Sequence, residues 1–231
     1  MHDTNTQLPV VLTRLTQAPL TCLMTLFALF IAVIPDLQPV LQFDSVAIAS
    51  GEVWRFVTGH LTHWNADHLF WDLAVFAVLG FNCERRDCRA FVGCVGGSIV
   101  LISMYQLFLQ ADLQTYRGLS GIDSGLFALL AVFLIRDSIQ TGDKTMITLI
   151  LTALLAFGAK NGWEFTTGAT VFVKSAGAFI PVPMAHFLGA VAGFAAGLRD
   201  TFSRDNLRRW FRRLRGGQLQ KIAVQTGRTG S

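Results

Sequence analysis

Apolar residues run through the chain in six stretches that polar or charged residues separate. The stretches cover residues 20–41, 68–81, 91–109, 119–135, 145–159 and 176–198. A helix needs about 20 apolar residues to cross the core of a bilayer, and some of these stretches are shorter. Short runs suit helices that begin below the membrane surface, beside a water-filled cavity. The pattern therefore predicts an all-α polytopic membrane protein, a bundle of six transmembrane helices.

Composition agrees with a membrane setting. Hydrophobic residues make up 52% of the 231 positions and charged residues 15%, whereas soluble domains carry about 25% charged residues. We expect a cytoplasmic N-terminal segment (1–19), a six-helix membrane domain (20–199) and a basic cytoplasmic tail (200–231). The first stretch has no basic leader and no evident cleavage site, so we do not interpret it as a secretory signal.

Lysine and arginine are distributed unequally among the connections. The loops after the second and fourth stretches and the tail are rich in them, whereas the alternate loops are poor. Because short basic loops stay in the cytoplasm, both termini should be cytoplasmic and the loop before residue 120 should face outward. The basic residues of the predicted cytoplasmic side are Arg85, Arg86, Arg89, Arg136, Lys144, Arg199, Arg204, Arg208, Arg209, Arg212, Arg213 and Arg215.

The tail has an amphipathic pattern. Leu207, Trp210, Phe211 and Leu214 recur at helical spacing, and arginines occupy other positions. Such a helix is expected to bind anionic lipid headgroups on the inner leaflet. The same charge could serve nucleic acid, but the aromatic stripe and the membrane setting argue against it, so we predict no nucleic-acid partner.

Polar residues inside apolar stretches are costly and mark candidate functional sites. Ser120 opens the fourth stretch; by itself it could be only a small residue at a helix contact. His186 in the sixth stretch changes this interpretation, because it could take the proton of a serine on a neighbouring helix and return it to a leaving amine. It lies one turn before Gly189, Gly193 and Gly197, which recur every four residues and line a face open to close helix approach.

The segments that hold these two residues resemble a known family. GLSG (118–121) and AHFLG (185–189) are similar to the GxSG and AHxxGxxxG signatures of rhomboid intramembrane serine proteases, in the family's order and on the fourth and sixth helices. The resemblance spans roughly residues 20–198. The RGLSG turn, the short chain, the compact six-helix core and the lack of an extra N-terminal domain or seventh helix are also similar to the rhombosortase subfamily.

Two further segments carry the resemblance. Trp54 and Arg55 resemble the Trp-Arg pair of the rhomboid first loop, and His63 and His68 resemble the histidines of its HxxxxHxxxN pattern. Glu84, after the second stretch, fits an acidic residue that the family often has there. Four motifs in order on a six-span framework are a specific match, whereas GxSG alone is weak.

The resemblance implies a Ser-His dyad in a wet cavity below the outer surface, with Ser120 as nucleophile and His186 as general base. Gly118 and Gly121 would allow close backbone approach and leave N–H groups at a helix start to stabilise an oxyanion. The implied substrate is a membrane-anchored protein cut in or near its transmembrane segment, in a bacterial-type inner (plasma) membrane. No cofactor and no metal are expected.

The family also uses a second-helix histidine and asparagine for the oxyanion, which correspond to His68 and to position 72. This chain has Asp72 there. An ionised carboxylate cannot donate a hydrogen bond. Asp72 either stays protonated because burial disfavours its charge, or it accepts a hydrogen bond and orients His68, which is the role we favour.

Position 124 is a second departure from the family. Many rhomboids have a tyrosine there that stacks on the catalytic histidine, whereas this chain has Ser124. The preceding Asp123 could approach His186 as the third member of a triad. It could instead cap the start of the fourth helix, which is the simpler interpretation.

Two functions therefore fit the sequence. The first is an intramembrane serine protease, and the second is a catalytically silent rhomboid-like binder or chaperone of membrane proteins. The presence of both Ser120 and His186 favours the protease, while Asp72 and Ser124 keep the binder open. A transporter is disfavoured because the polar groups cluster at one end and no inverted repeat is present.

Overall fold

The computed structural model describes residues 17–110, 114–168 and 183–201, and these residues form an almost entirely helical bundle. The predicted all-α class is confirmed. The N-terminal segment up to residue 16 and the predicted amphipathic tail helix lie outside the described residues. In chain order the elements are α1 (Pro19–Val33), α2 (Leu37–Leu41), β1 (Phe43–Asp44), α3 (Ser45–Ala49), α4 (Arg55–Thr58), a 3₁₀ turn (Gly59–Leu61), α5 (Ala66–Arg86), α6 (Cys88–Phe108), β2 (Thr115–Tyr116), α7 (Ser120–Thr141), α8 (Lys144–Thr167) and α9 (Pro183–Thr201).

The six predicted apolar stretches correspond to the six longest helices of the described chain, α1 and α5 to α9. Asn65, Asp87 and Asp143 precede α5, α6 and α8, and each side chain accepts the backbone N–H three residues further on. Such a cap satisfies one of the N–H groups that every helix start leaves unpaired. The clearest difference from the sequence pattern is α8, which continues to Thr167 instead of ending near residue 159.

Among the described residues, α6 and α8 are long and apolar enough to cross a bilayer by length and composition. Helix α1 is apolar but has only 15 residues. Helices α5 and α7 place His68, Asp72 and Asp123 inside their apolar runs, and such residues lower the mean hydropathy of a segment. The prediction of six spanning helices is therefore supported in part.

Helix α7 lies at the centre of the bundle and packs against α5, α6, α8 and α9. Its contact with α9 is the closest, because a β-carbon on Gly189 would collide with the carbonyl of Gly121 and one on Gly193 with the carbonyl of Gly125. A β-carbon on Gly197 would lie 2.9 Å from Val132. The predicted glycine face of α9 is confirmed, and it brings two backbones into direct contact.

A buried carboxylate joins α1 to α5. Glu84 lies in the last turn of α5, and its side chain accepts hydrogen bonds from the backbone N–H groups of Leu20 and Thr21 and from the Thr21 hydroxyl, at 2.9, 2.8 and 2.7 Å. Ala18, the N-cap residue of α1, makes no side-chain cap hydrogen bond. Glu84 therefore supplies the cap that the local sequence of α1 lacks.

Candidate active site

Ser120 and His186 meet where α7 and α9 come together. Ser120 is the first residue of α7 and His186 lies in the first turn of α9. The Ser120 Oγ atom is 3.1 Å from His186 Nε2, which is within hydrogen-bond reach of a nucleophile and its base. Because the glycines of α9 let its backbone touch α7, the two side chains meet across the helix contact.

The loop that leads into α7 has one backbone conformation that only glycine adopts easily. Gly118 has φ +125°, and a β-carbon there would lie 2.8 Å from His68 Nε2. The Tyr116 hydroxyl donates to the Gly118 carbonyl at 3.2 Å, and the Gly118 N–H donates to the Gly59 carbonyl at 3.4 Å. Burial raises the pKa of the Tyr116 phenol, so this hydroxyl keeps the proton that it donates.

The start of α7 is suited to bind negative charge. Leu119, its N-cap residue, makes no side-chain cap hydrogen bond. The first N–H groups of a helix have no partner within the helix, and they lie at its positive end. Gly121, in this first turn, is required by packing, since a β-carbon there would lie 2.5 Å from Ile102 Cδ1 and 3.1 Å from the Ala185 carbonyl oxygen.

Asp72 accepts a backbone N–H at the start of α7 and lies beside two histidine rings. Its Oδ2 atom accepts the backbone N–H of Leu119 at 2.8 Å and lies 3.2 Å from both His63 Nε2 and His68 Nε2. His63, His68 and Asp72 are all buried. A carboxylate oxygen that takes up a backbone N–H serves as an acceptor, so the geometry agrees with the orienting role rather than with a donor role.

Asp123 takes neither of the two roles considered from the sequence. The N-cap residue of α7 is Leu119, which makes no side-chain cap hydrogen bond, and the Nδ1 atom of His186 faces Asn161. Asp123 is 6% exposed, and its Oδ1 atom has no hydrogen-bond partner. Its carboxyl group interacts electrostatically with Asp72 and Tyr116. Ser124 turns back on its own helix and donates to the Ser120 carbonyl at 2.9 Å.

The partners of His186 Nδ1 were missed by the sequence interpretation. Nδ1 lies 3.0 Å from Asn161 Oδ1 and 3.6 Å from Glu164 Oε2, and both residues belong to α8. Lys160, which the hydropathy pattern assigns to a loop, also lies in α8 and contacts Glu164 at 2.8 Å. The signal that could have found them is the spacing of three polar residues at i, i+1 and i+4, which places them on one side of a helix.

His60 is a further residue that the sequence analysis did not assign to the site. It is 1% exposed, and its Nε2 atom lies 3.1 Å from the Ser103 hydroxyl, which donates to the Phe56 carbonyl. Its ring packs edge-on against Tyr116 with 5.4 Å between centroids. Burial lowers the pKa of His60 to about 4, so it is a neutral support beneath the serine loop.

Arg117, three residues before Ser120, holds this loop against the first part of the chain. Its Nε donates to Gln42 Oε1 at 2.8 Å and its Nη1 to the His63 carbonyl at 3.3 Å. Its guanidinium also lies over the Trp64 ring, 4.4 Å from the centroid. These contacts fix the direction from which the chain enters α7.

A serine and a histidine thus lie in contact at the start of the central helix of a helical bundle. The family model described as Rhomboid domain matches residues 50–201, which is more than half of the chain. The chain therefore belongs to the rhomboid family, a family of intramembrane serine proteases. No curated protein matches the chain.

Proposed function

We propose that the chain is an active intramembrane serine protease that hydrolyses a peptide bond in or near the transmembrane segment of membrane-anchored proteins. The observation that carries this proposal is the 3.1 Å contact between Ser120 Oγ and His186 Nε2 at the start of α7. Two polar side chains inside apolar helices are costly unless they act together.

The chemistry follows from these two atoms. His186 Nε2 takes the proton of Ser120 Oγ as the oxygen attacks the scissile carbonyl, and it returns that proton to the leaving amine as the C–N bond breaks. A water molecule then repeats the sequence on the acyl-enzyme. The N–H groups of Ser120 and Gly121, together with the positive end of α7, stabilise the negative charge on the tetrahedral intermediate.

Asp72 supports this site as an acceptor. Its carboxylate holds the Leu119 N–H directly before the nucleophile and contacts the ring of His68. The oxyanion of this chain therefore depends mainly on the N–H groups at the start of α7, because the Nε2 atom of His68 is turned toward Asp72. Asp72 cannot replace the asparagine donor of the family's usual arrangement while it is ionised.

We also propose a setting for the reaction. Basic residues on the connections after α5 and α7 support cytoplasmic termini, with the site opening to the outer side of a bacterial-type inner membrane. The substrate is another transmembrane protein, and the basic tail binds anionic lipid headgroups of the cytoplasmic leaflet.

The deciding experiment is covalent labelling of the purified protein by a fluorophosphonate probe in detergent. We expect labelling of the wild type and none of Ser120→Ala or His186→Ala, because a nucleophile without its base is almost inert. Reporters with a single transmembrane segment at either the N- or the C-terminus should be cut by the wild type and by neither variant. A preference for the C-terminal anchor would support the rhombosortase resemblance. A Ser120→Ala chain that still cuts would overturn the proposal. A wild type that binds reporters but neither labels nor cuts is the catalytically silent binder.

A further inference from the structure

We propose that Asn161 on α8 is a positioning residue for His186, so that the site works as a Ser120–His186–Asn161 triad instead of a dyad. This inference rests on the proposed function and names a further part of the same site. Asn161 makes and breaks no bond in the reaction. It fixes which nitrogen of the imidazole carries the proton.

The hydrogen bonds of Asn161 determine that tautomer. Its Nδ2 atom donates to the Phe157 carbonyl at 3.0 Å, and a carbonyl can only accept, so the amide nitrogen must face Phe157. The amide oxygen therefore faces His186 Nδ1 at 3.0 Å. Because an amide oxygen only accepts, Nδ1 must carry the ring proton, and the lone pair of Nε2 is left to face Ser120 Oγ. This is the tautomer that a general base needs.

The surroundings of Asn161 point the same way. Helix α8 is mostly exposed, and its buried residues are Ile150 and Glu164. A carboxylate that is 3% exposed is costly unless it is paired. Glu164 lies 2.8 Å from Lys160 Nζ and 3.6 Å from His186 Nδ1. The side of α8 that faces the site is therefore polar and charged.

Glu164 adds to the role of Asn161 when the reaction begins. As Ser120 Oγ loses its proton to Nε2, His186 becomes a cation that keeps its Nδ1–H directed at Asn161. The nearby Glu164 carboxylate stabilises that cation, and Lys160 balances the charge of Glu164 before the proton moves. The ring is thus held in one orientation in both protonation states.

The first test compares variants of the full-length protein in detergent. Asn161→Ala should lower kcat and the rate of fluorophosphonate labelling by at least about tenfold, but by less than the roughly 10⁴-fold typical of altering the third member of a Ser-His-Asp triad. KM and the thermal unfolding midpoint should stay at wild-type values. Asn161→Asp, which keeps an acceptor for Nδ1–H, should recover most of the loss. Thr166→Ala is the matched control, because within the described residues the Thr166 hydroxyl bonds to its own helix, at Gly162 and Trp163.

The second test reads the tautomer directly and does not depend on activity. The chain has five histidines, and the ¹⁵N spectrum of a His186→Ala variant identifies the signals of His186 by their absence. We expect the Nδ1–H form in the wild type and its loss in Asn161→Ala. An Asn161→Ala chain with wild-type kcat, or with an unchanged His186 tautomer, would overturn the inference. A wild type that shows the Nδ1–H form without any cleavage overturns the proposed function and not the hydrogen bond.

Discussion

The two members of the catalytic pair are held in place by different means. Ser120 lies where a loop enters α7. Asp72 accepts a buried hydrogen bond from this segment, Tyr116 donates one to it, and the backbones of α7 and α9 are in contact beside it. His186 is held on its far side by side chains of α8, a helix with few buried residues. The position of the nucleophile therefore depends mainly on contacts made to backbone atoms, and that of the base on contacts between side chains. Adding atoms should disrupt the packing around Ser120, whereas removing atoms should weaken the support of the His186 ring.

The largest effect should come from adding a methyl group at the contact of α7 and α9. Gly193→Ala places a β-carbon against the Gly125 carbonyl, and because backbone cannot yield as a side chain can, we expect a loss of at least about 3 kcal/mol of stability and no labelling of Ser120. Thermal unfolding in detergent measures the loss. Gly158→Ala on α8 is the matched control, since a β-carbon there meets nothing within 4 Å, and it should leave stability equal or about 1 kcal/mol higher. Equal midpoints for the two variants would contradict the comparison.

A smaller effect should follow from changing the charge of Asp72 while keeping its shape. Asp72→Asn leaves one acceptor oxygen and places an NH₂ group among donors, so we expect activity to fall about tenfold for one unsatisfied buried group. Reporter cleavage and labelling rates measure the change. Asp67→Asn, an exposed residue in the first turn of the same helix, is the control and should keep wild-type rates. Full activity of Asp72→Asn would show that the carboxylate is not needed as an acceptor.

The effect that is smallest at neutral pH concerns the pH dependence of stability on the Ser120 side. Burial lowers the pKa of His60 from 6.5 to about 4, so between these values the unfolded chain takes up a proton that the native chain refuses. Stability is therefore present in full above pH 6.5 and falls as the pH drops to about 4, by about 3 kcal/mol in total. His60→Gln should remove this slope, and unfolding midpoints at pH 7, 6 and 5 measure it. Parallel curves for the two proteins would show that His60 is not the group responsible.

The long helices were predictable because each leaves a strong local signal, whereas the central pair was predicted from several motifs that together resemble a family. Apolar runs gave the helices, and the four-residue spacing of Gly189 and Gly193 gave the α9 face that reaches Ser120. The residues of α8 that contact His186 were harder to predict. The apolar run of α8 stops near residue 159, and the polar residues that follow have the composition of a loop. Asn161 and Glu164 nevertheless lie in the helix, where Asn161 contacts His186 and Glu164 contacts Lys160.

Other parts of the site depend on contacts between distant residues. Asp72 accepts the N–H of Leu119, which lies 47 positions away in the sequence. No local sequence pattern indicates a contact between residues so far apart. The pairing of β1 with β2 involves two residues on each side, which is too short to show a period of two. The contacts of Asp123 were hard to predict because spacing along a helix gives the direction of a side chain only approximately.

The cap that Glu84 gives to α1 also sets an order of assembly during synthesis. Helix α1 leaves the ribosome first, but the carboxylate that accepts its Thr21 N–H is made 63 residues later. A nascent chain that ends before α5 leaves the N–H groups of Leu20 and Thr21 without this acceptor, and such groups are costly away from water. Helix α1 therefore gains its cap only after the last turn of α5 has been translated and has packed against it.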